Sequence, residues 1–234
     1  LLVSLYFGGI LKFDPSNPKW VDRYRFLIGK GHVHLALFHI WVDLGFIDNS
    51  LLDSYGKNGS LLGQQLNNKI PGSEYNTGSL GHVIGVGSGM ALAAKLDKKN
   101  YYTISLVGDA ECDEGSIWES VMFAGRNQLN NLITIVDRNW MSVMDALKED
   151  DSSGRLDEKF EACGWKSITI NGHSFEEILS CFNDLEELNK PLVIIADTIK
   201  GKGVSFMEND LRWHSGIPSN EEFDLAVNEL EAKN

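Results

Sequence analysis

The chain has 234 residues, 43% hydrophobic and 23% charged, proportions that exclude a disordered, collagen-like or coiled-coil protein and suit one large α/β unit. Asp and Glu number 33 against 21 Lys and Arg, a formal charge of −12 and the wrong sign for a general binder of nucleic-acid backbones. Three cysteines, Cys112, Cys163 and Cys181, show no CxxC spacing, which argues against a disulfide framework or structural zinc and for a reducing, cytoplasmic setting.

The opening LLVSLYFGGIL is apolar but too short to span a bilayer, and it has neither a basic flank nor a cleavage site, so it reads as a buried helix. Its first residue is Leu rather than Met, which leaves room for residues upstream. Residues 1–56 are mostly helical in period, interrupted by FDPSNPKWVDR, whose prolines mark a turn. Residues 56–78 are rich in Gly, Asn, Gln and Ser and predict a long loop of the kind that carries function. Helical spacing returns over 79–96. A strand at 102–107, the turn GDAECDEG, a helix at 116–129 and the strand LITIV at 132–136 then form a βαβ pattern, which predicts parallel neighbours. After a charged interval, DALKEDDSSGRLDEKFEA, strands are predicted at 166–170 and 191–198 with a helix over 174–188 between them, and an acidic helix, EEFDLAVNELEA, follows near the end. Strands alternating with helices imply a parallel sheet covered by helices on both faces, one α/β domain over residues 1–234.

Ligands of such sheets collect outside the carboxyl ends of the strands. Asp109, in VGDAE, follows the first strand of the βαβ unit, and Asn139, in VDRNW, follows the second. Adjacent parallel strands bring both to one edge, where the two side-chain oxygens and the carbonyl of Met141 suit a small hard cation such as magnesium. The plainer alternative is that Asp109 caps the next helix and Asn139 stabilises a turn. GVGSGMA at 85–91 has the glycine density of a dinucleotide loop, but Met90 stands where the last glycine should be and no convincing strand precedes it, so close helix packing is the better use of those glycines. Cys112 lies among acids that raise a thiol pKa and reads as structural, while His34, His39 and His173 read as ordinary helix or turn residues.

The segment VGDAECDEGSIWESVMFAGRNQLNNLITIVDRN resembles the thiamine diphosphate signature that opens with Gly-Asp-Gly and closes in Asn, and its relatives by eye are transketolases. YFGGILKFDPSNPKWVDRYRFLIGKGH, PGSEYNTGSLGHVIGVGSGMALAAKL and TIKGKGVSFMENDLRWHSG resemble further transketolase stretches in the same order, so the resemblance covers nearly the whole chain. It implies the thiamine diphosphate-binding fold, with Asp109, Asn139 and the Met141 carbonyl ligating Mg2+, or Ca2+ or Mn2+ in its place. It further implies that His32, Lys200 and His214 surround the diphosphate and reaction centre, that Gly78, Ser79, Leu80, Gly108 and Ala110 support the cofactor, and that Glu114 lies at a subunit contact leading to a partner's glutamate.

Three departures stand out. Ala110 replaces the motif's second glycine, so the turn there must avoid positive φ. Gly63-Gln64-Gln65 stands where many relatives have Gly-His-Pro, and Leu80-Gly81-His82-Val83 where they have Leu-Gly-Gln-Gly. His82 either reshapes the sugar-binding funnel or simply starts a helix. The resemblance extends only to the diphosphate-binding half. It therefore implies the N-terminal subunit of a split transketolase, an α2β2 assembly whose complementary C-terminal subunit supplies the pyrimidine-binding half, transferring a two-carbon ketol unit from a ketose phosphate donor to an aldose. The competing readings are a 2-oxo acid-using synthase of the same cofactor class and a non-catalytic scaffold subunit.

Overall fold

A computed structural model describes residues 1–142 and 152–232. The charged interval DALKEDDSSGRLDEKFEA falls partly outside them. In order come α1 (Leu2–Phe7), β1 (Arg25–Ile28), α2 (His34–Asp43), α3 (Val83–Leu96), β2 (Thr103–Gly108), α4 (Gly115–Arg126), β3 (Leu132–Arg138), α5 (Leu156–Ala162), β4 (Lys166–Asn171), α6 (Phe175–Ser180), β5 (Leu192–Asp197) and α7 (Asn220–Glu231). Among the described residues, no helix is long and apolar enough to cross a membrane.

The described residues form one sheet of five parallel strands, in the order β1-β2-β3-β5-β4. The three central strands are near-continuous apolar runs because helices cover both sides. Alternate side chains separate into two cores. Phe26, Ile28, Ile104, Leu106, Ile133 and Ile135 pack with Leu5, Leu37, Phe38, Trp41 and Ile178 of α1, α2 and α6. Leu27, Val107, Val136, Val193 and Ile195 face the other way, against Ile84, Ala91, Ile117, Val121 and Phe160 of α3, α4 and α5. The glycines of GVGSGMA lie within α3, where Gly85 and Gly87 serve packing and Gly89 faces open space. A Cβ at Gly87 would meet Ser105 Oγ at 2.7 Å, and one at Gly85 would meet Ser120 Oγ at 2.8 Å, so only glycine lets α3 lie this close to β2 and α4.

Two expectations require correction. The mostly helical reading of residues 1–56 misses β1, an edge strand paired with β2 from Arg25↔Thr103 to Ile28↔Leu106. Only four residues long, RFLI has too few positions to establish a period. The helix predicted over 174–188 ends at Ser180, and only the 3-10 turn Leu185–Glu187 follows. The intervening Asn183-Asp184 pair favours turns over helix.

Candidate cofactor site

The register of the central strands builds the site. Gly108 of β2 pairs with Asp137 of β3, so Asp109 and Asn139 leave the sheet at one edge. Asp109 is 1% exposed. Its Oδ1 accepts the Ala110 N–H at 2.8 Å, capping the 3-10 turn Ala110–Asp113, and its Oδ2 accepts the Trp140 N–H at 2.7 Å. The carboxylate therefore does cap a turn and also reaches the backbone between Asn139 and Met141. Asn139, likewise buried, accepts the Met141 N–H on its Oδ1 at 3.1 Å. Trp140 takes the left-handed φ of +60°, so the segment curls tightly around the carboxylate, whereas Ala110 avoids positive φ.

Asp109, Asn139, Met141, His32, Lys200 and His214 line one cavity of about 220 Å³, bordered also by Gly78, Leu80, Gly108 and Ala110. Ser79 is exposed and lies outside that lining. His82 and Glu114 also lie outside it. Both are exposed, His82 at the N-cap of α3 without a side-chain capping bond and Glu114 at the N-cap of α4.

The cavity brings together charges of both signs. Lys200 Nζ stands 3.2 Å from His214 Nδ1, and the His214 and His32 rings lie 5.4 Å apart. Desolvation at the cavity wall, followed by the Lys30, His214 and Lys200 charges, pushes the His32 pKa down to about 4. Desolvation and neighbouring lysines also lower the pKa of His214 and Lys200. Burial raises that of Asp109, against its backbone hydrogen bonds and Lys30. An anion would relieve the basic cluster and a cation would relieve Asp109. Among the described residues no three His, Cys, Asp or Glu gather to hold a metal ion. One carboxylate, one amide oxygen and one carbonyl form an incomplete hard-oxygen set, which suits a divalent ion that takes its remaining ligands from a phosphate. The residues present therefore fit a metal-bound diphosphate.

Residues 2–230 match the family model described as "Transketolase, thiamine diphosphate binding domain". The chain belongs to this family. Over 231 residues it is 40% identical to one of the subunits of the apulose-4-phosphate transketolase from Phocaeicola vulgatus, covering 98% of this chain and 82% of that protein. It is 37% identical over 233 residues to the 6-deoxy-6-sulfo-D-fructose transketolase subunit SqwG of a Clostridium species, covering 99% and 84%. Among solved structures, transketolase from Campylobacter jejuni superposes with a TM-score of 0.81 at 26% identity, over 99% of this chain and 42% of that one. The chain spans less than half of that transketolase.

In and around this transketolase-family site, Lys30, Asp137, Glu111 and Gln65 escaped sequence reasoning. Lys30 pairs with Asp137, which also accepts the Thr198 hydroxyl. Burial works against ionisation of Asp137, but the Lys30 charge and these two hydrogen bonds hold its carboxyl below the usual value. Glu111, 2% exposed, borders the cavity and accepts the Gly81 and Gly108 N–H groups. Gln65, rather than Gln64, reaches the cavity, its Oε1 accepting the Thr77 hydroxyl at 2.9 Å. The only sequence signal for Lys30 and Glu111 was their place inside the matched GKGH and GDAE stretches. Cys112 is buried, with its thiol pKa pushed up by burial and by Glu111, Asp109 and Asp113, as a structural residue should be. His34 bonds Gly31 O and the Tyr55 hydroxyl, and His173 Nε2 accepts the Ile199 N–H, both scaffold contacts.

Proposed function

We propose that the chain is the diphosphate-binding subunit of a two-chain cytoplasmic transketolase, moving a two-carbon ketol unit from a ketose or ketose phosphate to an aldose. The observation that carries the proposal is the Asp109 carboxylate, tied to the Asn139–Met141 turn within the same cavity as Lys200 and His214. In this reading the Asp109 and Asn139 side chains and the Met141 carbonyl hold Mg2+, while Lys200 offsets diphosphate charge and His214 hydrogen-bonds it. When bound, thiamine diphosphate supplies the electron sink that ketol cleavage requires. His32, uncharged at neutral pH given its pKa of about 4, hydrogen-bonds a sugar hydroxyl instead of adding charge. Glu114, exposed at the start of α4, meets a complementary subunit that contributes the pyrimidine-binding half. Two relatives bearing the name of a transketolase subunit, each more than four-fifths covered by this chain, support a split enzyme. The substrates in the names of these two relatives favour an uncommon sugar phosphate or sulfonate.

The test is reconstitution. The chain mixed with the complementary subunit, thiamine diphosphate and Mg2+ should transfer ketol units, whereas the two polypeptides kept separate, or the mixture with chelator, should not. Full turnover by the lone chain would refute the split. Turnover with 2-oxo acid donors alone would move the enzyme to the synthase class, and a complex showing no metal-dependent cofactor binding would make it a scaffold.

A further inference from the structure

We infer that Glu111 is a positioning residue that locks the three loops of the cofactor cradle into one register, an inference that rests on the thiamine diphosphate reading above. The first loop leaves β1 through Gly29 and carries Lys30 and His32. The second, residues 78–82, precedes α3 and brings Gly78 and Leu80 to the cavity. The third leaves β2 through Gly108 and carries Asp109 and Ala110. One carboxylate joins all three. Glu111 Oε1 accepts the Gly81 N–H at 2.9 Å, and Oε2 accepts the Gly108 N–H at 3.2 Å. Gly29 closes the third side so tightly that a Cβ there would overlap both carboxylate oxygens.

The chemistry of the side chain matches this task. Two backbone N–H donors from separate loops need two acceptor oxygens and no donor, which a carboxylate provides and a carboxamide does not. Gly81 adopts φ of +86°, and a Cβ there would meet Glu114 Cβ at 2.7 Å, so its backbone reaches Glu111 only as glycine. A buried carboxylate is costly unless hydrogen-bonded, and removing one acceptor would leave a buried N–H unpaired. Glu111 thus fixes the placement of the diphosphate-facing backbone relative to the Asp109 turn. It contacts no reacting atom itself.

The chain assembled with its complementary subunit is titrated calorimetrically with thiamine diphosphate in the presence of Mg2+, and backbone amide exchange is followed by mass spectrometry. Glu111→Gln should weaken cofactor binding about tenfold or more, since one buried N–H then opposes an amide NH2. Amide exchange should quicken over residues 78–82 and 106–109 and not across the remaining sheet, a pattern that general loss of structure would not give. Gly29→Ala should weaken binding in the parent chain and have little further effect in a Glu111→Ala background, because the obstructing oxygens are gone. Wild-type affinity in a folded Glu111→Gln complex, unlocalised exchange, or additive effects of Gly29→Ala and Glu111→Ala would each overturn the lock. Should the parent complex bind no thiamine diphosphate, the cofactor reading fails by itself, and the exchange pattern still decides whether Glu111 joins the loops.

Discussion

Asp109→Asn separates the folding role of this side chain from its electrostatic one. The amide keeps the shape and one acceptor oxygen, so it can serve the Trp140 N–H or the Ala110 N–H but not both. Losing one such bond costs about 1–2 kcal/mol. The opposing effect comes from the buried charge. Burial raises the Asp109 pKa, so its favourable contribution is present below the ordinary carboxylate value and is lost as pH rises through the raised one. At neutral pH the cofactor-free wild type bears that penalty and the Asn variant escapes it. The two effects oppose, and urea unfolding of the free chain should shift by less than about 1 kcal/mol. Affinity should behave differently. Outer-shell partners of a metal ligand already account for about 10–100-fold in affinity, so removing an anionic ligand should weaken Mg2+-dependent thiamine diphosphate binding by about 100-fold or more. Calorimetric titration of the two-chain complex, with and without chelator, measures this. Wild-type affinity in the Asn variant, or wild-type binding indifferent to chelator, would refute the metal assignment.

Lys30→Met leaves Asp137 largely buried with the Thr198 hydroxyl and without its cation, and should lower stability by about 3 kcal/mol, part of which Asp137→Asn restores in a denaturant-monitored double-mutant cycle. His32 should titrate near pH 4 by NMR in the free chain; because its folded pKa is depressed, its stabilising contribution exists above the ordinary histidine value and disappears as pH falls through about 4. A midpoint near 6.5 in the free chain would remove the argument that the cavity wall desolvates His32 and surrounds it with positive charge. Gly125→Ala drives a Cβ into the Cys163 carbonyl oxygen, away from the cavity lining, and should cost about 2 kcal/mol in thermal unfolding with no change in cofactor affinity.

The β2–α4–β3 unit was legible because each strand is a β-branched, mostly apolar run ended by a charged turn, and the turn residues themselves carry the candidate ligands. That Asp109, Asn139 and Met141 come to one edge was readable for the same reason: two strand ends set side by side need no distant information. β1 was hidden by its length, and the end of α6 by a turn-forming pair that periodicity does not register. The cradle's internal contacts were illegible for a different cause. Lys30 meets Asp137, Glu111 meets Gly29 and Gly81, and Lys200 meets His214 only after the sheet has folded, and no local spacing records such encounters. Gly29 and Gly81 carried no separate signal, because a glycine that admits a carboxylate looks in sequence like any loop glycine.

The free site gathers acidic and basic groups whose charged forms burial disfavours, and this decides how the two proposed ligands should bind. Asp109 is buried and resists ionisation, while Lys200, His214 and His32 resist protonation. Mg2+ alone would relieve Asp109 but add to the positive field around the lysine and histidines, and a diphosphate alone would relieve those groups but face the aspartate. Only the pair compensates both. Mg2+ and the diphosphate should therefore bind with reciprocal positive coupling, each tightening the other by about tenfold or more. Titrating inorganic pyrophosphate into the two-chain complex at several Mg2+ concentrations measures that coupling without the vitamin moiety. Pyrophosphate binding that is independent of Mg2+ would mean that the basic cluster acts alone and that Asp109 is only a cap for its turn.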